Sequence, residues 1–403
     1  MKNAVPKVLT FGCRLNISES EEMQRNAEAA GLGDVVIVNT CAVTAEAERQ
    51  ARQAIRRAKR EDKDARIIVT GCAAQIDPQK YAQMPEVDLV IPNDKKLLPE
   101  SFSGVAAPLS SKQNRISPPA ESPMQRAFVQ VQNGCDNRCT FCVIPYGRGS
   151  SRSLSERDIV AKTREYVDAG FNEVVITGVD IASYGKDLPH RPNLGQIALL
   201  VLKEFPDLKR LRLSSLDPAA IDEEIWGLIG SEPRFMPHLH LSLQSGDDMV
   251  LKRMRRRHSR EDVVNLCDRA RKLRPDIVFG ADVIAGFPTE TEEMFKNTCD
   301  LVESCKMTWL HVFPYSARKG TPAARMPQVP SAIRKERANI LRSIGDKAAK
   351  DHHASLVGQR VSALIENGGI GCTPQFAKVK ISCDAPVGCV VDVLCSGAEG
   401  DPA

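Results

Sequence analysis

Short apolar runs alternate with polar, helix-like stretches along most of the chain. The first three runs, at residues 8–10, 35–38 and 67–69, are separated by segments rich in Ala, Glu, Gln and Arg. This alternation predicts β-strands joined by crossover helices, and therefore a parallel sheet. We expect an N-terminal α/β domain over residues 1–98.

The apolar rhythm stops over residues 99–125, where Pro and Ser dominate and predict a linker. A second strand–helix series then follows, with predicted strands at residues 128–131, 174–176, 211–213, 239–241, 277–279 and 309–313. Six units are too few for a complete eight-stranded barrel, so we expect a partial (β/α)6 barrel within a domain at 126–352. The Gly- and Val-rich end, 353–403, predicts a small all-β module.

Composition narrows the classes of protein that fit this pattern. The 403 residues are 42% hydrophobic, which excludes intrinsic disorder, and their net charge of +4 excludes nucleic-acid binding by overall charge alone. The sequence contains no run of 18 apolar residues and no signal-type apolar core near its start. We therefore expect a cytoplasmic protein that does not contact a membrane.

Thirteen cysteines are too few for a disulfide-dense secreted protein. In a reducing compartment their odd number favours metal binding or catalysis. Cys135, Cys139 and Cys142 form a C-x3-C-x2-C motif directly after a predicted strand. Three thiolates at this spacing can ligate three irons of a [4Fe-4S] cluster and leave the fourth iron open to S-adenosylmethionine (SAM). A zinc site is the alternative, but it would normally need a fourth ligand nearby.

Three further cysteines share a sequence context, because each of them closely follows an apolar run. Cys13, Cys41 and Cys72 stand in VLTFGCRLN, VVIVNTCAV and RIIVTGCAA. The carboxyl ends of parallel strands meet at one edge of a sheet, so these thiols should converge on a second three-cysteine site. Alternatively, they are three buried small hydrophobic residues. The other seven share no ligand spacing and are interpreted as structural: Cys267, Cys299, Cys305, Cys372, Cys383, Cys389 and Cys395.

Several longer segments accompany these cysteines: GCDNRCTFCVIPYGRGSSRS, LRLSSLDP, HLHLSLQSGDDMVLKRMRR, DVIAGFPTET and LHVFPYSARKGTPAARM. With them, the chain resembles the radical SAM methylthiotransferases nearly from end to end. The segment GCRLN and the stretches GRGSSRS and LSSLDP resemble the MtaB-type branch, which acts on threonylcarbamoyladenosine in tRNA. The resemblance implies an N-terminal methylthiotransferase domain, a radical SAM barrel and a C-terminal TRAM-like module.

The reaction that this resemblance implies is methylthiolation at C2 of N6-threonylcarbamoyladenosine at position 37, in the anticodon stem-loop of tRNA. The C2 hydrogen is neither acidic nor hydridic, so a radical route is needed. The implied cofactors are two [4Fe-4S] clusters and SAM, with an electron donor as a further partner. Alternatives are the same chemistry on a ribosomal-protein aspartate or on isopentenyladenosine in tRNA. A non-catalytic iron–sulfur redox protein is a third possibility.

The resemblance also suggests which residues contact SAM. These are Phe141 beside the cluster cysteines, and residues at or near predicted strand ends: Thr177, Gly178, Gln244, Asp282 and Gly286. In a barrel such positions face the active site. Ordinary packing of the phenylalanine and simple turn glycines are the alternatives.

Basic residues suggest where the substrate binds. Arg148 and Arg152 could hold the carboxylate of the threonylcarbamoyl group in a bidentate contact. Cations at 252–260 and on one predicted helix face at 49–60 are candidates for phosphate contacts, or simply solvated surfaces. The C-terminal module is slightly acidic, so it either contacts RNA through Phe376 or shape, or mainly caps the barrel.

Overall fold

The computed structural model describes residues 5–103, 125–381 and 384–395. The described residues divide into two compact units, the first drawn from 1–117, 133–151 and 318–321, and the second from the rest of the described chain. Most of the predicted linker, residues 104–124, lies outside the described residues, as does Cys383. The predicted domain boundaries stay predictions.

The first unit is built on a four-stranded parallel sheet of order β1-β2-β3-β4. Its strands are β1 (Lys7–Thr10), β2 (Val35–Thr40), β3 (Arg66–Gly71) and β4 (Leu89–Val90). Its helices are α1 (Arg14–Ala29), α2 (Ala45–Glu61), α3 (Cys72–Ile76), α4 (Pro78–Ala82), α5 (Glu100–Ser103) and α6 (Ile144–Arg148).

Both faces of this sheet are buried, as expected for parallel strands that crossover helices cover. Ile67 and Val69 of β3 pack with Ile55 of α2 in one apolar cluster. Ile68, which points to the other face, packs with Met23 of α1 in a second cluster. The period-2 alternation of side chains along β3 therefore assigns the two helices to opposite faces.

The second unit contains six parallel strands in chain order, which confirms the partial (β/α)6 barrel. They are β5 (Ala127–Asn133), β7 (Glu173–Gly178), β8 (Arg210–Leu213), β9 (His238–Gln244), β10 (Val278–Ala285) and β11 (Met307–Pro314), with a short strand β6 (Arg152–Ser153) at the edge. Parallel bridges between Leu211 and Phe235 and between Leu216 and Leu241 connect the two halves of the barrel wall.

Helices follow the barrel strands, and all of them except α10 (Asp248–Met254) contribute side chains to one large apolar core. They are α7 (Glu156–Asp168), α8 (Leu194–Glu204), α9 (Glu223–Ser231), α10 (Asp248–Met254), α11 (Arg260–Leu273), α12 (Glu292–Ser304) and α13 (Ser331–Leu356). Helix α13 continues beyond residue 352, where the sequence predicts a domain boundary. Within the described residues, no helix is both long and apolar enough to span a membrane.

The C-terminal module is an antiparallel sheet of order β14-β13-β12-β15, as the all-β prediction requires. Its strands are β12 (Arg360–Glu366), β13 (Ile370–Cys372), β14 (Lys378–Lys380) and β15 (Val390–Leu394). Its small core includes Ala363, Val379 and Val393, and Trp309 of the barrel strand β11 packs against it.

A buried glutamate lies at the amino-terminal ends of the barrel strands, next to this module. Glu173, the first residue of β7, accepts hydrogen bonds from Arg126 at 2.6 Å, Arg212 at 2.8 Å and Arg210 at 3.5 Å. Burial raises the pKa of Glu173, but the three guanidinium groups outweigh burial and hold this pKa at about 2.

The same arginines hold the loop between β13 and β14. Arg210 donates to the carbonyl oxygen of Cys372 at 2.8 Å, and Arg212 donates to those of Thr373 and Pro374 at 2.9 and 2.7 Å. These bonds satisfy backbone groups of the module with charges from the barrel, so the two parts share one polar network.

Phe376, in this loop, packs against the first residue of β9. Its ring stacks on His238 with centroids 5.1 Å apart, and the guanidinium groups of Arg126 and Arg212 lie 5.2 and 5.1 Å from its centre. This aromatic side chain, which the sequence suggested as an RNA contact, therefore packs against the barrel. These contacts favour a capping role for the module.

Candidate functional site

Three cysteines of the first unit follow three adjacent strands of its parallel sheet. Cys13 is the N-cap of α1, three residues after β1, and its side chain is exposed. Cys41 directly follows β2, and Cys72 directly follows β3 as the first residue of α3; both are buried. The structure therefore places all three at the carboxyl edge of the sheet, where the sequence predicted them.

Two glycines permit the close approach of these strand ends. Gly12 has φ +97°, and a Cβ there would lie 2.5 Å from both Cβ and Sγ of Cys41. Gly71 has φ +94°, and a Cβ there would lie 2.4 Å from the carbonyl oxygen of Thr40. Only a residue without a side chain fits at either position, so steric crowding requires glycine directly before Cys13 and directly before Cys72.

The C-x3-C-x2-C loop belongs to the same compact unit. Cys135 donates its backbone N–H to the carbonyl oxygen of Gly149 at 3.1 Å, which closes the loop at its base. Within it, the N–H of Cys142 donates to the carbonyl oxygen of Cys139 at 3.1 Å. All three thiols are partly exposed, as is the ring of Phe141, whose predicted contact with SAM stays a prediction.

The helix that follows this loop packs against the helix that carries Cys72. A Cβ on Gly147 of α6 would lie 3.1 Å from Cβ of Cys72, and Asn93 donates to the carbonyl oxygen of Gly147 at 2.7 Å. The two cysteine triads are therefore parts of one packed assembly of helices α3 and α6 and the sheet edge.

The electrostatic environment of the buried thiols suits a cationic ligand. Burial raises the pKa of Cys41 to about 12, and the neighbouring charges of Cys13 and Cys72 also raise it. Burial also raises the pKa of Cys72, whereas Arg148 and Lys96 lower it. Metal ligation requires thiolates, and a bound metal supplies the positive charge that stabilises them. Three cysteine sulfurs that follow adjacent strands at one sheet edge are donors of the kind that holds an iron–sulfur cluster.

Behind the thiols lies a charged cluster that the sequence did not reveal. Lys96 donates to Glu19 Oε2 at 2.5 Å, and Arg148 donates to Glu19 Oε1 and Oε2 at 2.7 and 2.9 Å. Burial raises the pKa of Glu19, but these two cations hold it at about 2. The one available signal was the spacing of Asn16 and Glu19, which places both on the inner face of α1.

The predicted substrate contact of Arg148 is not supported. Its guanidinium is buried, forms a fork with Glu19, and donates further bonds to Asn16 at 2.6 Å and Asn133 at 2.9 Å. The residue does hold a carboxylate bidentately, as its chemistry predicted, but this carboxylate belongs to the protein itself. Arg152, in contrast, is exposed on β6, and its substrate contact stays a prediction.

In the second unit, the first pair of residues predicted to contact SAM ends strand β7. Thr177 is buried, and a Cβ on Gly178 would lie 2.7 Å from the carbonyl oxygen of Gln132. The side chain of Gln132 accepts the backbone N–H groups of Val179 and Asp180 at 3.1 and 2.9 Å. The glycine is thus required for the close contact between β5 and β7.

Two further predicted positions terminate barrel strands with left-handed backbone. Gln244 ends β9 with φ +67°, which is rare for a residue with a side chain. Gly286 follows β10 with φ +72°, and its N–H donates to Glu290 Oε2 at 2.9 Å. Unusual backbone of this kind is common at functional sites.

Asp282 lies within β10, and protein groups already bond to both of its carboxylate oxygens. His240 Nε2 lies 3.0 Å and His311 Nδ1 lies 3.3 Å from its Oδ1, and Ser215 donates to Oδ2 at 3.2 Å. Burial raises the pKa of Asp282, but the two histidines outweigh it and depress the pKa far below its usual range. Ligand atoms of Asp282 and the two histidines lie within 4.8 Å of one another, a spacing that a metal ion could also bridge.

Most of the cations at 252–260 already donate hydrogen bonds within the protein, and their contact with RNA stays a prediction. Arg256 donates to the carbonyl oxygen of Ser242 at 2.9 Å, and Arg257 donates to Asp217 at 2.9 Å. Two other members of this run also donate to backbone carbonyls, namely Arg253 and Arg260. The exposed side chains of Lys252 and Arg255 stay candidates for phosphate contacts.

Three arginines of α2 line an open groove of about 650 Å³, namely Arg56, Arg57 and Arg60. Several arginines of this helix already face carboxylates, because Arg49 pairs with Glu46 and Arg56 lies 3.9 Å from Glu86. Exposed ion pairs of this kind contribute little to stability and are easily exchanged. A phosphate contact on this face stays a prediction.

Comparison with known families matches both units. Residues 129–302 match the radical SAM superfamily, and residues 6–92 match the uncharacterized protein family UPF0004. Among solved structures, a radical SAM methyltransferase, TsrM from Kitasatospora setae, matches with a TM-score of 0.54 at 16% identity. The match covers 77% of this chain and 68% of that protein, and it supports the fold alone.

Several curated proteins are similar over nearly the whole chain. The threonylcarbamoyladenosine tRNA methylthiotransferase MtaB of Rickettsia prowazekii is 53% identical over 94% of this chain and 92% of its own length. The MtaB protein of Bacillus subtilis is 34% identical over 92% of this chain and 88% of its own length. The tRNA-2-methylthio-N(6)-dimethylallyladenosine synthase of Erythrobacter litoralis is 33% identical over 96% of this chain and 93% of its own length.

Proposed function

The chain belongs to the threonylcarbamoyladenosine tRNA methylthiotransferases of the radical SAM superfamily, and from this premise we propose that its two cysteine triads hold the two [4Fe-4S] clusters of the enzyme. Cys135, Cys139 and Cys142 would hold the cluster that binds SAM. Cys13, Cys41 and Cys72 would hold the auxiliary cluster. The observation that carries the assignment is that both triads lie in one compact unit.

The reaction is methylthiolation of threonylcarbamoyladenosine in tRNA, and we place it at C2 of the base at position 37. When bound, a cluster with an open iron and SAM supplies the radical chemistry that an unactivated C–H bond requires. The chain itself buries Cys41 and Cys72 at the sheet edge and so limits the access of water to them, whereas Cys13 is exposed.

The contacts with SAM are proposed on the family resemblance and on position. Thr177 and Gly178 stand at the end of β7, Gln244 ends β9, and Gly286 directly follows β10. In a strand–helix barrel, these are the ends at which ligands bind. Asp282 is proposed as an indirect contributor, because both of its oxygens already accept hydrogen bonds from protein groups.

We further propose that the tRNA is recognised through its anticodon stem-loop and that a separate protein donates the electrons. Within the substrate, the threonylcarbamoyl carboxylate is the group that an exposed arginine would recognise. Arg152 is the remaining candidate, since Arg148 is committed to Glu19. If Arg152 makes this contact, Arg152→Ala should raise KM for the tRNA by about 10-fold, corresponding to one charge-assisted bond.

The matched control for this prediction is Arg157→Ala. Arg157 is an exposed arginine in the first turn of α7, five residues further along the chain. Steady-state kinetics should give unchanged values for this control. Equal KM values for Arg152→Ala and the original enzyme would exclude Arg152 as a substrate contact.

The proposed function is tested with purified chain whose clusters are reconstituted without oxygen. It should hold about eight irons, cleave SAM reductively, and convert tRNA that carries threonylcarbamoyladenosine into its methylthio form, as followed by nucleoside mass spectrometry. Replacing either triad with alanines should remove about four irons and abolish the product. Cys299→Ala, outside both triads, is the control and should leave both values unchanged.

Conversion of isopentenyladenosine instead of threonylcarbamoyladenosine would overturn the substrate assignment. Retention of about eight irons after loss of either triad would overturn the ligand assignment. These two outcomes are independent, because iron is counted without any tRNA present.

A further inference from the structure

The charged cluster behind the thiols connects the segments that carry the two cysteine triads. We define the Glu19 joint as Glu19, Lys96, Arg148, Asn16 and Asn133. Its central carboxylate accepts one bond from Lys96 and a fork from Arg148, with distances between 2.5 and 2.9 Å. The side chains of all three charged members are only 1% exposed.

Each member of the joint other than Lys96 belongs to a segment that bears or borders the cysteines. Asn16 and Glu19 lie in the first turns of α1, which begins directly after Cys13. Asn133 precedes Cys135 by two positions, and Arg148 ends the helix that follows Cys142. The joint therefore links the start of the first triad to both ends of the second.

A second set of bonds extends the joint to the strand that leads to Cys41. Asn39, near the end of β2, donates to the carbonyl oxygen of Asn16 at 3.0 Å and accepts a bond from Lys96 at 3.3 Å. Asn16 in turn donates to the carbonyl oxygen of Thr40 at 3.2 Å. Movement of the central carboxylate would thus be transmitted to the backbone just before Cys41.

The charges of the joint do not cancel. Burial lowers the pKa of Lys96, and its ion pair with Glu19 opposes this shift. With Lys96 and Arg148 both charged around one carboxylate, the joint has one excess positive charge, and both cations act on the nearby thiol of Cys72. Burying unbalanced charge is costly, and folded chains retain such arrangements where a counter-charge is supplied. Thiolates bound to iron would supply it. This feature distinguishes the joint from a simple structural ion pair.

We propose that Glu19 is a positioning residue that fixes the two cysteine loops relative to each other and holds a positive charge beside the thiols of the auxiliary site. The inference rests on the proposed function for its relevance to the clusters. Its geometric part concerns the protein alone and is tested on chain without iron.

The first experiment compares Glu19→Gln with the original chain in the iron-free, reduced state. The substitution keeps the size of the side chain but removes its charge, so both cations lose their charged partner. Alkylation of each cysteine by iodoacetamide is followed by peptide mass spectrometry. We expect Cys41 and Cys72 to react about 10-fold faster or more in the variant, because the strand ends that bury them are no longer held.

Two controls show whether the effect is local. Glu28→Gln removes the same charge from an exposed position on the same helix and should leave every rate unchanged. Cys267, buried in the second unit, should keep its slow rate in Glu19→Gln. Equal acceleration at Cys267, or no acceleration at Cys41 and Cys72, would overturn the proposed positioning role.

The second experiment measures iron loss from each cluster separately. Glu19→Gln is introduced into chain that lacks the first triad and into chain that lacks the second triad. Each parent should hold about four irons. We expect Glu19→Gln to speed iron loss to a chelator by about 10- to 100-fold in both parents, the usual range for groups that orient metal ligands.

The electron paramagnetic resonance spectrum of the reduced cluster should also change, which a purely structural residue would not cause while the fold is kept. Unchanged iron loss and spectra in both parents would overturn the link between Glu19 and the clusters. If the parents take up no iron even with Glu19 present, the ligand assignment fails instead, and the alkylation rates still decide the geometric part.

Discussion

Two buried glutamates, one in each compact unit, show how the same electrostatic arrangement serves different ends. Glu19 is bound by Lys96 and Arg148, and Glu173 is bound by three arginines. In both cases burial raises the pKa of the carboxyl group, and the surrounding cations lower it to about 2.

The two carboxylates differ in the groups that their surrounding cations contact besides the carboxylate itself. At Glu173, Arg126 also pairs with Glu366, whereas Arg210 and Arg212 donate to backbone carbonyls of the C-terminal module. The guanidinium group of Arg212 also lies over the ring of Phe376. At Glu19, the excess charge lies beside thiols. A buried carboxylate with several cations is therefore a joint between segments in both units, but only at Glu19 are those segments the ones that bear the proposed iron ligands.

The largest expected effect comes from breaking the Glu173 network. Glu173→Ala leaves three arginines without their shared carboxylate, so we expect the free energy of unfolding to fall by about 3 to 5 kcal/mol. Urea denaturation measures this loss. Chain that remains folded should keep its full iron content, because the network contacts the module and not the cysteine triads.

Glu204→Gln, which removes an exposed carboxylate 4.0 Å from Arg164, is the control and should change stability by less than about 1 kcal/mol. A comparable loss of stability in this control would show that charge alone, and not burial, determines the effect.

Acid should weaken both glutamate networks over the same range of pH. The folded-state pKa of each is about 2, below the ordinary value of 4.5, so the stabilisation is fully present above pH 4.5. It is lost as the pH falls from 4.5 toward 2, and it amounts to about 3 kcal/mol for each carboxylate. Unfolding free energies measured between pH 2 and 6 should show this slope.

Glu173→Gln should remove only the share of the slope that Glu173 contributes, because Glu19, Asp217 and Asp282 also have depressed pKa values in the folded chain. An unchanged slope would show that other carboxylates dominate acid unfolding. A complete loss of the slope would show that Glu19 contributes nothing.

A smaller effect is expected when the aromatic contact of the module is removed. Phe376→Ala eliminates the stack on His238 and two cation–π contacts, so we expect a loss of about 1 to 2 kcal/mol. Leu394→Ala, an exposed apolar position of the same module, is the control and should lose less. Weaker tRNA binding by Phe376→Ala without any loss of stability would instead favour an RNA contact.

The smallest change is expected from Lys96→Met. This variant leaves Glu19 with the fork from Arg148 and removes the cost of burying an ammonium group, so stability should change by no more than about 1 kcal/mol. Urea denaturation of the iron-free chain checks this. A loss as large as that of Glu173→Ala would show that Lys96, and not Arg148, is the essential partner of Glu19.

The local pattern of apolar and polar residues was sufficient to predict much of the architecture. The six barrel strands, the parallel N-terminal sheet and the β module were predicted because apolar periodicity is a property of neighbouring residues. The convergence of Cys13, Cys41 and Cys72 was predicted as well. Parallel topology places all strand ends at one edge, so three separate cysteines could be joined without knowing any distance.

The partners of charged side chains could not be predicted in this way. Arg148 lies 129 positions from Glu19, and Arg210 lies 162 positions from the residue whose carbonyl oxygen it binds. The cations at 252–260 were predicted as a surface, yet most of them hold strand-end loops. A charged residue has the same appearance in sequence whether it faces water or a buried carboxylate.

The sequence alone thus determined the succession of strands along the chain, the two cysteine triads and the family. Only the tertiary structure decided that Arg148 binds Glu19, that Phe376 packs against the barrel, and that one excess positive charge lies beside the thiols. The physical reason is that periodicity and motif spacing are local, whereas the pairing of buried charges depends on which distant segments the fold brings together.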